Sequence, residues 1–407
     1  MAGPLTHLKV LDLSRILAGP WAGQVLADFG AQVIKVERPQ KGDDTRHWGP
    51  PYLKDAAGND TPEAAYYLSA NRGKQSITVD ITKPAGQELI KKLVKECDIL
   101  LENYKVGGLK KYGLDYESIR AVNPAIIYCS ITGFGQTGPY ANRAGYDAMI
   151  QGMGGLMSLT GVPEGQPGAG PQKVGVAVAD LMTGMYAVSG VLAAVIHRDR
   201  TGEGQQIDLA LLDTQVAWLA NQAQNYLTSG KSPERQGTAH PNIVPYQAVP
   251  ASDGYFMLAV GNDAQFKKFC AIAGLDGIAE DPAYASNAAR VQARDQLVPV
   301  IERTTRQKPA AWWLQQLSDA HVPCGPINNL EQVFADPQVQ ARGMVVEQAH
   351  PTAGTVKTVR NPLGFSASEL AYEQAPPILG EHTDAVLGTM LALGAEEIES
   401  LRKDGVI

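Results

Sequence analysis

One carboxylate stands in an unusual place in the stretch from Val174 to Asp213, VGVAVADLMTGMYAVSGVLAAVIHRDRTGEGQQIDLALLD. Asp180 follows a run of small apolar residues and precedes an apolar pattern with helical spacing: Leu181, Met185, Val188, Val191, Leu192 and Val195. That spacing puts Asp180 at or beside a helix N-terminus, where orphan N–H groups and the positive end of the macrodipole favour its ionised form. Two readings follow. Asp is a preferred capping residue, so Asp180 serves as an N-cap, or it is a carboxylate nucleophile flanked by residues too small to obstruct a bulky substrate. Basic residues His197, Arg198 and Arg200 close the helix, and a Thr201–Gly204 turn leads into an alternating strand over 206–212.

Other groups with chemical potential lie at the ends of expected strands. Arg38 follows the strand 32–37, and Lys105, Lys110 and Lys111 cluster beyond the strand 99–102. Both are read either as anion contacts or as solvated surface charge. Gly261-Asn262-Asp263 ends a strand and opens a helix, so it either aims backbone N–H groups at a ligand or forms an ordinary capped turn. No G-x-G-x-x-G follows the first strand, where the loop reads Ser14-Arg15-Ile16-Leu17-Ala18-Gly19-Pro20, which disfavours a nicotinamide cofactor. The four cysteines lie far apart with no C-x-x-C pair, so no metal site is expected.

Behind these residues the first third of the chain alternates strand and helix. Strands are expected at 8–13, 32–37, 76–81, 99–102 and 125–131, with helices at 21–29 and 87–97. The fold class is therefore α/β, a doubly wound parallel sheet, which places ligands at the carboxyl ends of its strands. Residues 41–71 form a long ordered loop holding Trp48, Tyr52, Tyr66 and Tyr67. A Met-rich helix runs from 146 to about 159, and a long amphipathic one from 214 to 227. A boundary near 230 opens a region with a hairpin at 243–249 and 255–260.

With 407 residues, 44% apolar and 19% charged, the chain reads as a two-domain globular protein. A formal charge of −7 argues against nucleic acid as a partner. The start of the chain lacks a signal-peptide pattern and no apolar run looks long enough to span a bilayer, so the expectation is a cytoplasmic protein with no membrane partner.

Beside Asp180, the chain carries DLSRILAGPWAGQVLADFGAQVIKVERP from Asp12, ENYKVGGLKKYG from Glu102 and PPILGEHT from Pro376. In these motifs, their order and their spacing it resembles the class III (CaiB/BaiF-type) CoA-transferase family over about residues 5–400. GTAHPNIVPYQA from Gly237 and VGNDAQF from Val260 look most like the dicarboxylate-using branch that includes succinate–hydroxymethylglutarate CoA-transferase. The resemblance implies a Rossmann-like domain built from both chain ends (1–228 and 326–407), a smaller central α+β domain (229–325), and an interlocked, ring-shaped homodimer. It also implies transfer of CoA between carboxylic acids, CoA and acyl-CoA being substrates and no cofactor being tightly bound.

Carried over from the family's motifs, Asp180 matches the catalytic aspartate that forms a covalent aspartyl-CoA thioester. Leu17, Ala18, Arg38, Val79, Asn103, Tyr104 and Lys111 match CoA-contacting positions, and Tyr146 and Asp147 a pair near the thioester. Gly261 begins the loop that covers it, with Asn262 next. Leu17 stands where formyl-CoA enzymes carry Gln, and Gly261-Asn262-Asp263 replaces their run of glycines, which argues against formyl or oxalyl transfer. A dicarboxylate needs its far carboxylate matched. Arg46, beside Trp48 and Tyr52, is the expected partner unless it pairs with Asp43 or Asp44, and Arg72 is the reserve. The alternative activity is an acyl-CoA racemase exchanging an α-proton between Asp147 and a histidine such as His240; a non-catalytic CoA-binding protein is the third reading.

Overall fold

The central strands divide their side chains between two cores. Val10, Val33, Ile99, Leu101, Ile127 and Cys129 fall in one hydrophobic cluster, while their neighbours Leu11, Ile34, Leu100 and Tyr128 fall in another. This period of two is what a strand buried on both faces requires. The computed structural model describes residues 3–407. Its elements begin with β1 (Lys9–Asp12), α1 (Ala18–Asp28), β2 (Gln32–Glu37), β3 (Lys74–Thr78), α2 (Pro84–Lys95), β4 (Ile99–Glu102) and β5 (Ile127–Thr132). They continue through α3 (Asp147–Met153) and α4 (Val178–Thr201) to β6 (Gln205–Ala210). The six strands form one parallel sheet in the order β3-β2-β1-β4-β5-β6. Helices α1 and α4 supply Ala22, Val25, Leu26, Val188 and Val191 to the first cluster. Helix α2 and the C-terminal residues Val386, Leu387, Ile398 and Val406 supply the second. The order reverses between β1 and β4, and the crevice at that point is where such sheets bind ligands.

The chain forms two units. The first comprises residues up to Leu156, Lys173–Gly230 and Ala341–Ile407, and the second Met157–Gln172 and Lys231–Gln340. The C-terminal segment joins the sheet directly: the His382 N–H donates to the Ser76 carbonyl at 2.9 Å and the Asp80 N–H to that of Val406 at 2.7 Å. Two boundaries differ from the sequence reading. Residues 157–172 belong to the second unit because the Gly237 N–H donates to the Gly161 carbonyl and Arg235 to that of Val162. That unit also runs on to Gln340, past 325. Its core packs Phe256, Phe266, Phe269 and Trp313 around an antiparallel sheet of Tyr246–Pro250, Tyr255–Ala259 and Cys324–Pro326.

Three elements depart from their expected form. The Met-rich helix is split at Gly154-Gly155, where Gly155 has φ 86°, into α3 and Leu156–Leu159. The amphipathic helix breaks into Leu211–Ala217 and Ala220–Ser229. Helix α4 is long and apolar enough, by length and composition, to cross a membrane, contrary to the sequence reading. Its buried residues Ala187, Val188, Val191, Ala194 and Val195 lie in the first cluster, and that packing accounts for one face of it, while Met185, Tyr186 and Ile196 are exposed.

Candidate active site

The loop after β1 is held in a conformation its own residues disfavour. Ile16 has φ 73°, a left-handed value that is an outlier for a β-branched residue. Three bonds fix it. The Ile16 N–H donates to both Asp43 carboxylate oxygens at 3.2 Å, the Arg15 N–H donates to Asn103 Oδ1 at 2.9 Å, and Asn103 Nδ2 donates to the Arg15 carbonyl at 2.6 Å. Asp43 is held by the wholly buried Lys35, 2.9 Å away. Burial alone would raise the Asp43 carboxyl, but the charge and hydrogen bond of Lys35, with the Thr45 bonds, pull it down to about 2. Lys35 also donates to the Ser14 carbonyl at 3.0 Å. The strained turn therefore rests on a buried ion pair. It leaves Leu17 and Ala18 at the start of α1, a helix end with no side-chain cap.

Asp180 lies across from that helix end. Gly184, one turn further along α4, admits the close approach: a Cβ there would sit 2.7 Å from the Ala18 carbonyl oxygen and 3.0 Å from the Trp21 ring. Helix α4 begins at Val178 after the N-cap Ala177, so Asp180 is its third residue and caps nothing. Asp147 does the capping instead. One of its oxygens accepts the N–H groups of Ala179 at 2.8 Å and Asp180 at 3.3 Å, and the other accepts Gln151 Nε2 at 2.7 Å. The Asp180 carboxylate is half-buried. Burial, with the like charge of Asp147, pushes it up to about 7. The expectation that the helix end favours its ionised form is thus corrected: the N–H groups are answered by Asp147, and desolvation wins at Asp180.

Two cavities meet at Asp180. One, of about 260 Å³, lies beyond the carboxyl ends of β1, β4 and β5 and is lined by Leu17, Ala18, Asn103, Tyr104, Thr132, Arg143, Tyr146 and Asp180. Through Arg15, Tyr104 and Lys105 it shares walls with a wider crevice of about 640 Å³ that also carries Arg38, Lys41 and Lys111. Val79 lines a small recess beside Arg38 and Tyr104. The other cavity, of about 560 Å³, has Asp180 and Asp147 on one side with Trp21, Trp48, Tyr66 and Val176 around them. The structure thus gathers Asp180, Leu17, Ala18, Arg38, Val79, Asn103, Tyr104, Lys111, Tyr146 and Asp147 along one run of cavities.

The arginines expected to bind substrate do not reach it. Arg46 is buried, donates to both oxygens of Glu37 at 2.8 Å, to Glu63 at 2.9 Å and to the Pro377 carbonyl at 3.0 Å, and lies 3.6 Å above the Tyr67 ring. The partners weighed for it, Asp43 and Asp44, pair with Lys35 and Arg15. Arg72 is buried as well, bound to both oxygens of Asp28 at 2.7–2.9 Å and to the Val359 carbonyl at 2.7 Å. Arg72 commits all five of its N–H groups and Arg46 four of five, and both are buried against carboxylates away from the cavities around Asp180. Gly261 and Asn262 belong to the second unit. The Gly261 N–H is taken by Gln265 Oε1 at 2.8 Å, and Asn262 caps the helix Asp263–Ala273 by accepting the Gln265 N–H. His240, also there, stacks on Tyr246 and accepts the Asn242 N–H.

Sequence reasoning missed Arg15, Asp43, Arg143 and Lys173. One signal was present: a lysine at the centre of the apolar strand QVIKVE requires a buried carboxylate partner.

The sequence model of CoA-transferase family III matches residues 5–383. A succinate–glutarate CoA-transferase of Agrobacterium fabrum is 53% identical over 387 residues, 95% of this chain and 96% of that one. A succinyl-CoA:glutarate CoA-transferase of Homo sapiens is 44% identical over 404 residues, covering 99% of this chain and 90% of its own. Among solved structures, a CAIB/BAIF family protein from Brucella suis superimposes with a TM-score of 0.84 at 52% identity, covering 96% of this chain and all of that one.

Proposed function

The chain belongs to CoA-transferase family III, and from that premise we propose that it moves CoA from succinyl-CoA to a second dicarboxylic acid through a covalent thioester on Asp180. The observation that carries this reading is the Asp180 carboxylate. It accepts no hydrogen bond among the described residues, and it stands where a cavity joined to a basic crevice meets an aromatic one. A structural carboxylate at a helix start would be bonded to the helix, as Asp147 is.

In the first half-reaction an Asp180 oxygen attacks the thioester carbonyl. The C–S bond breaks, leaving a mixed anhydride and CoA thiolate. The thiolate then attacks the Asp180 carbonyl carbon, forming the aspartyl-CoA thioester and releasing succinate. The acceptor carboxylate repeats both steps in reverse order and restores Asp180. One thioester is exchanged for another, so the reaction is near thermoneutral and needs no nucleotide. Uncapped N–H groups at the start of α1 are suited to the oxyanions, each such donor being worth about 3 kcal/mol. They replace Gly261 in that role, whose N–H is already bonded. CoA is a substrate here, not a resident cofactor.

The racemase reading is not favoured. The relatives reported above are transferases by name, and both oxygens of Asp147 are committed to hydrogen bonds. A homodimer, interlocked as in the family resemblance, is part of the proposal. Exposed Met185, Tyr186, Ile196, Tyr226 and Leu227 offer apolar surface for a second copy. All four cysteines are unpaired, which suits a reducing compartment such as the cytoplasm. Neither nucleic acid nor a membrane is proposed as a partner.

Incubation with succinyl-CoA and glutarate should yield glutaryl-CoA and free succinate with no added nucleotide, followed by chromatography of the CoA esters. Absence of any new ester across a series of diacids would sink the reading. A second expectation concerns the crevice. Arg38 and Lys111 are exposed and have no carboxylate within 4 Å among the described residues; Lys111 lies 4.7 Å from the Tyr112 ring. Phosphates held there do not change charge during reaction, so this is uniform binding. Lys111→Ala or Arg38→Ala should raise KM for acyl-CoA about tenfold with kcat within about twofold, the loss shrinking as salt rises. An unchanged KM with a lowered kcat would assign them elsewhere.

A further inference from the structure

A diacid held by one carboxylate against Asp180 brings a second negative charge into the aromatic cavity. An unmatched anion is costly in such surroundings. Arg46 and Arg72 are buried and already ion-paired with Glu37, Glu63 and Asp28, and neither lines this cavity. Among the residues lining this cavity there is one cation, Lys173. Its ammonium touches only the neighbouring Val174 carbonyl, at 3.2 Å, and no carboxylate lies within 4 Å of it among the described residues. Its backbone is nonetheless anchored. The Val174 N–H donates to Gln151 Oε1 at 2.9 Å, and Gln151 in turn donates to Asp147 at 2.7 Å, so the start of the segment that leads into Asp180 is tied to the cap of α4. Asp147 forms no ion pair with the ammonium within 4 Å, its oxygens being turned to Ala179, Asp180 and Gln151.

We propose that Lys173 is the specificity-determining residue for dicarboxylates, its ammonium pairing with the far carboxylate of an acid whose near carboxylate faces Asp180. This rests on the transferase reading above. Lysine suits the task differently from arginine. It is a mobile point charge on a long stem, not a rigid fork, so it follows the far carboxylate through one methylene more or less. Neighbouring chain lengths, succinate and glutarate, should therefore be used with similar efficiency. The T-shaped pair of Trp48 and Tyr66, with centroids 5.2 Å apart, borders the same cavity and leaves apolar walls for the chain between the two carboxylates.

The test compares glutarate with pentanoate, an acid of equal length lacking the far carboxylate. With a double-displacement mechanism, kcat/KM for the acceptor reports the second half-reaction alone, so any effect on the succinyl-CoA donor cancels from the ratio. In the full-length protein Lys173→Met should lower the glutarate-to-pentanoate ratio of kcat/KM at least tenfold, and Lys173→Arg should restore most of it. Lys173→Glu should turn the preference toward 5-aminopentanoate, whose far end is an ammonium. Melting temperature and affinity for CoA should not change in any of the three. A ratio unaltered in Lys173→Met, or 5-aminopentanoate use no better in Lys173→Glu than in wild type, overturns the assignment. A wild-type protein that forms no new CoA ester with glutarate or any other diacid overturns the transferase reading instead, and is told apart because the variants then have nothing to lose.

Discussion

Asp180→Asn should abolish CoA transfer, lowering kcat at least about 10³-fold, since removing a covalent nucleophile can cost up to about 10⁶. The side chain accepts no hydrogen bond among the described residues, and the cap of α4 is Asp147, so the fold and the affinity for acyl-CoA should survive the change. Wild-type enzyme mixed with succinyl-CoA and quenched in acid should carry CoA on the peptide containing Asp180, and the variant should not. A variant that turns over within tenfold of wild type would refute the assignment. The wild type should also show an acid limb. Asp180 must be ionised to attack, and burial beside Asp147 holds it at about 7, so kcat/KM should rise with pH through that value and level off above it. Asp147→Asn, which removes the like charge, should move the limb to lower pH. Stability has the opposite sign. A carboxyl whose folded value is raised contributes stability below its unfolded value, and this is lost as pH rises from about 4 through 7. Asp180→Asn should therefore be more stable than wild type at pH 8 and equal to it at pH 4, which thermal melts can measure.

The parts of this site that could be read from sequence are those with a local cause. Asp180 announces itself by breaking an apolar helical pattern at its first turn, and Leu17, Asn103 and Tyr104, matched through the family's motifs, lie where parallel strands present their carboxyl ends to one crevice. What was illegible depends on partners far away in the chain. Arg46 is separated by 331 positions from the Pro377 carbonyl it bonds, and Arg72 by 287 from that of Val359. No local pattern distinguishes an arginine beside aromatics that waits for a substrate from one already paired in the interior. Ionisation was misjudged for a related reason. A helix start argues for a low carboxyl value at Asp180, but burial decided the outcome, helped by a second carboxylate 33 positions earlier that takes the N–H groups for itself.

Arg46→Met should destabilise the first unit by about 3–5 kcal/mol, the cost of stranding buried carboxylates, where an exposed pair would contribute at most about 1. All three partners are almost wholly buried: the side chains of Arg46, Glu37 and Glu63 retain 5%, 1% and 4% of their exposure. Burial alone would raise the Glu37 carboxyl, but the hydrogen bonds and charge of Arg46, helped by Lys35 and Ser76, carry it below its ordinary value. Without Arg46 that balance reverses. Glu37 and Glu63 must then either stay ionised in a low-dielectric site or take up protons. The deficit should be largest near pH 7 and shrink toward pH 4, where protonation removes the stranded charges. At neutral pH the fall in melting temperature should be on the order of 10 °C. The damage should spread to the site through the backbone, because Glu37 also accepts the Asp43 N–H at 2.9 Å and Asp43 holds the strained turn at Ile16. Whatever activity remains in the folded fraction should therefore fall equally for glutarate and pentanoate. A variant that melts with wild type yet loses only the diacid would return Arg46 to the substrate and remove the case for Lys173.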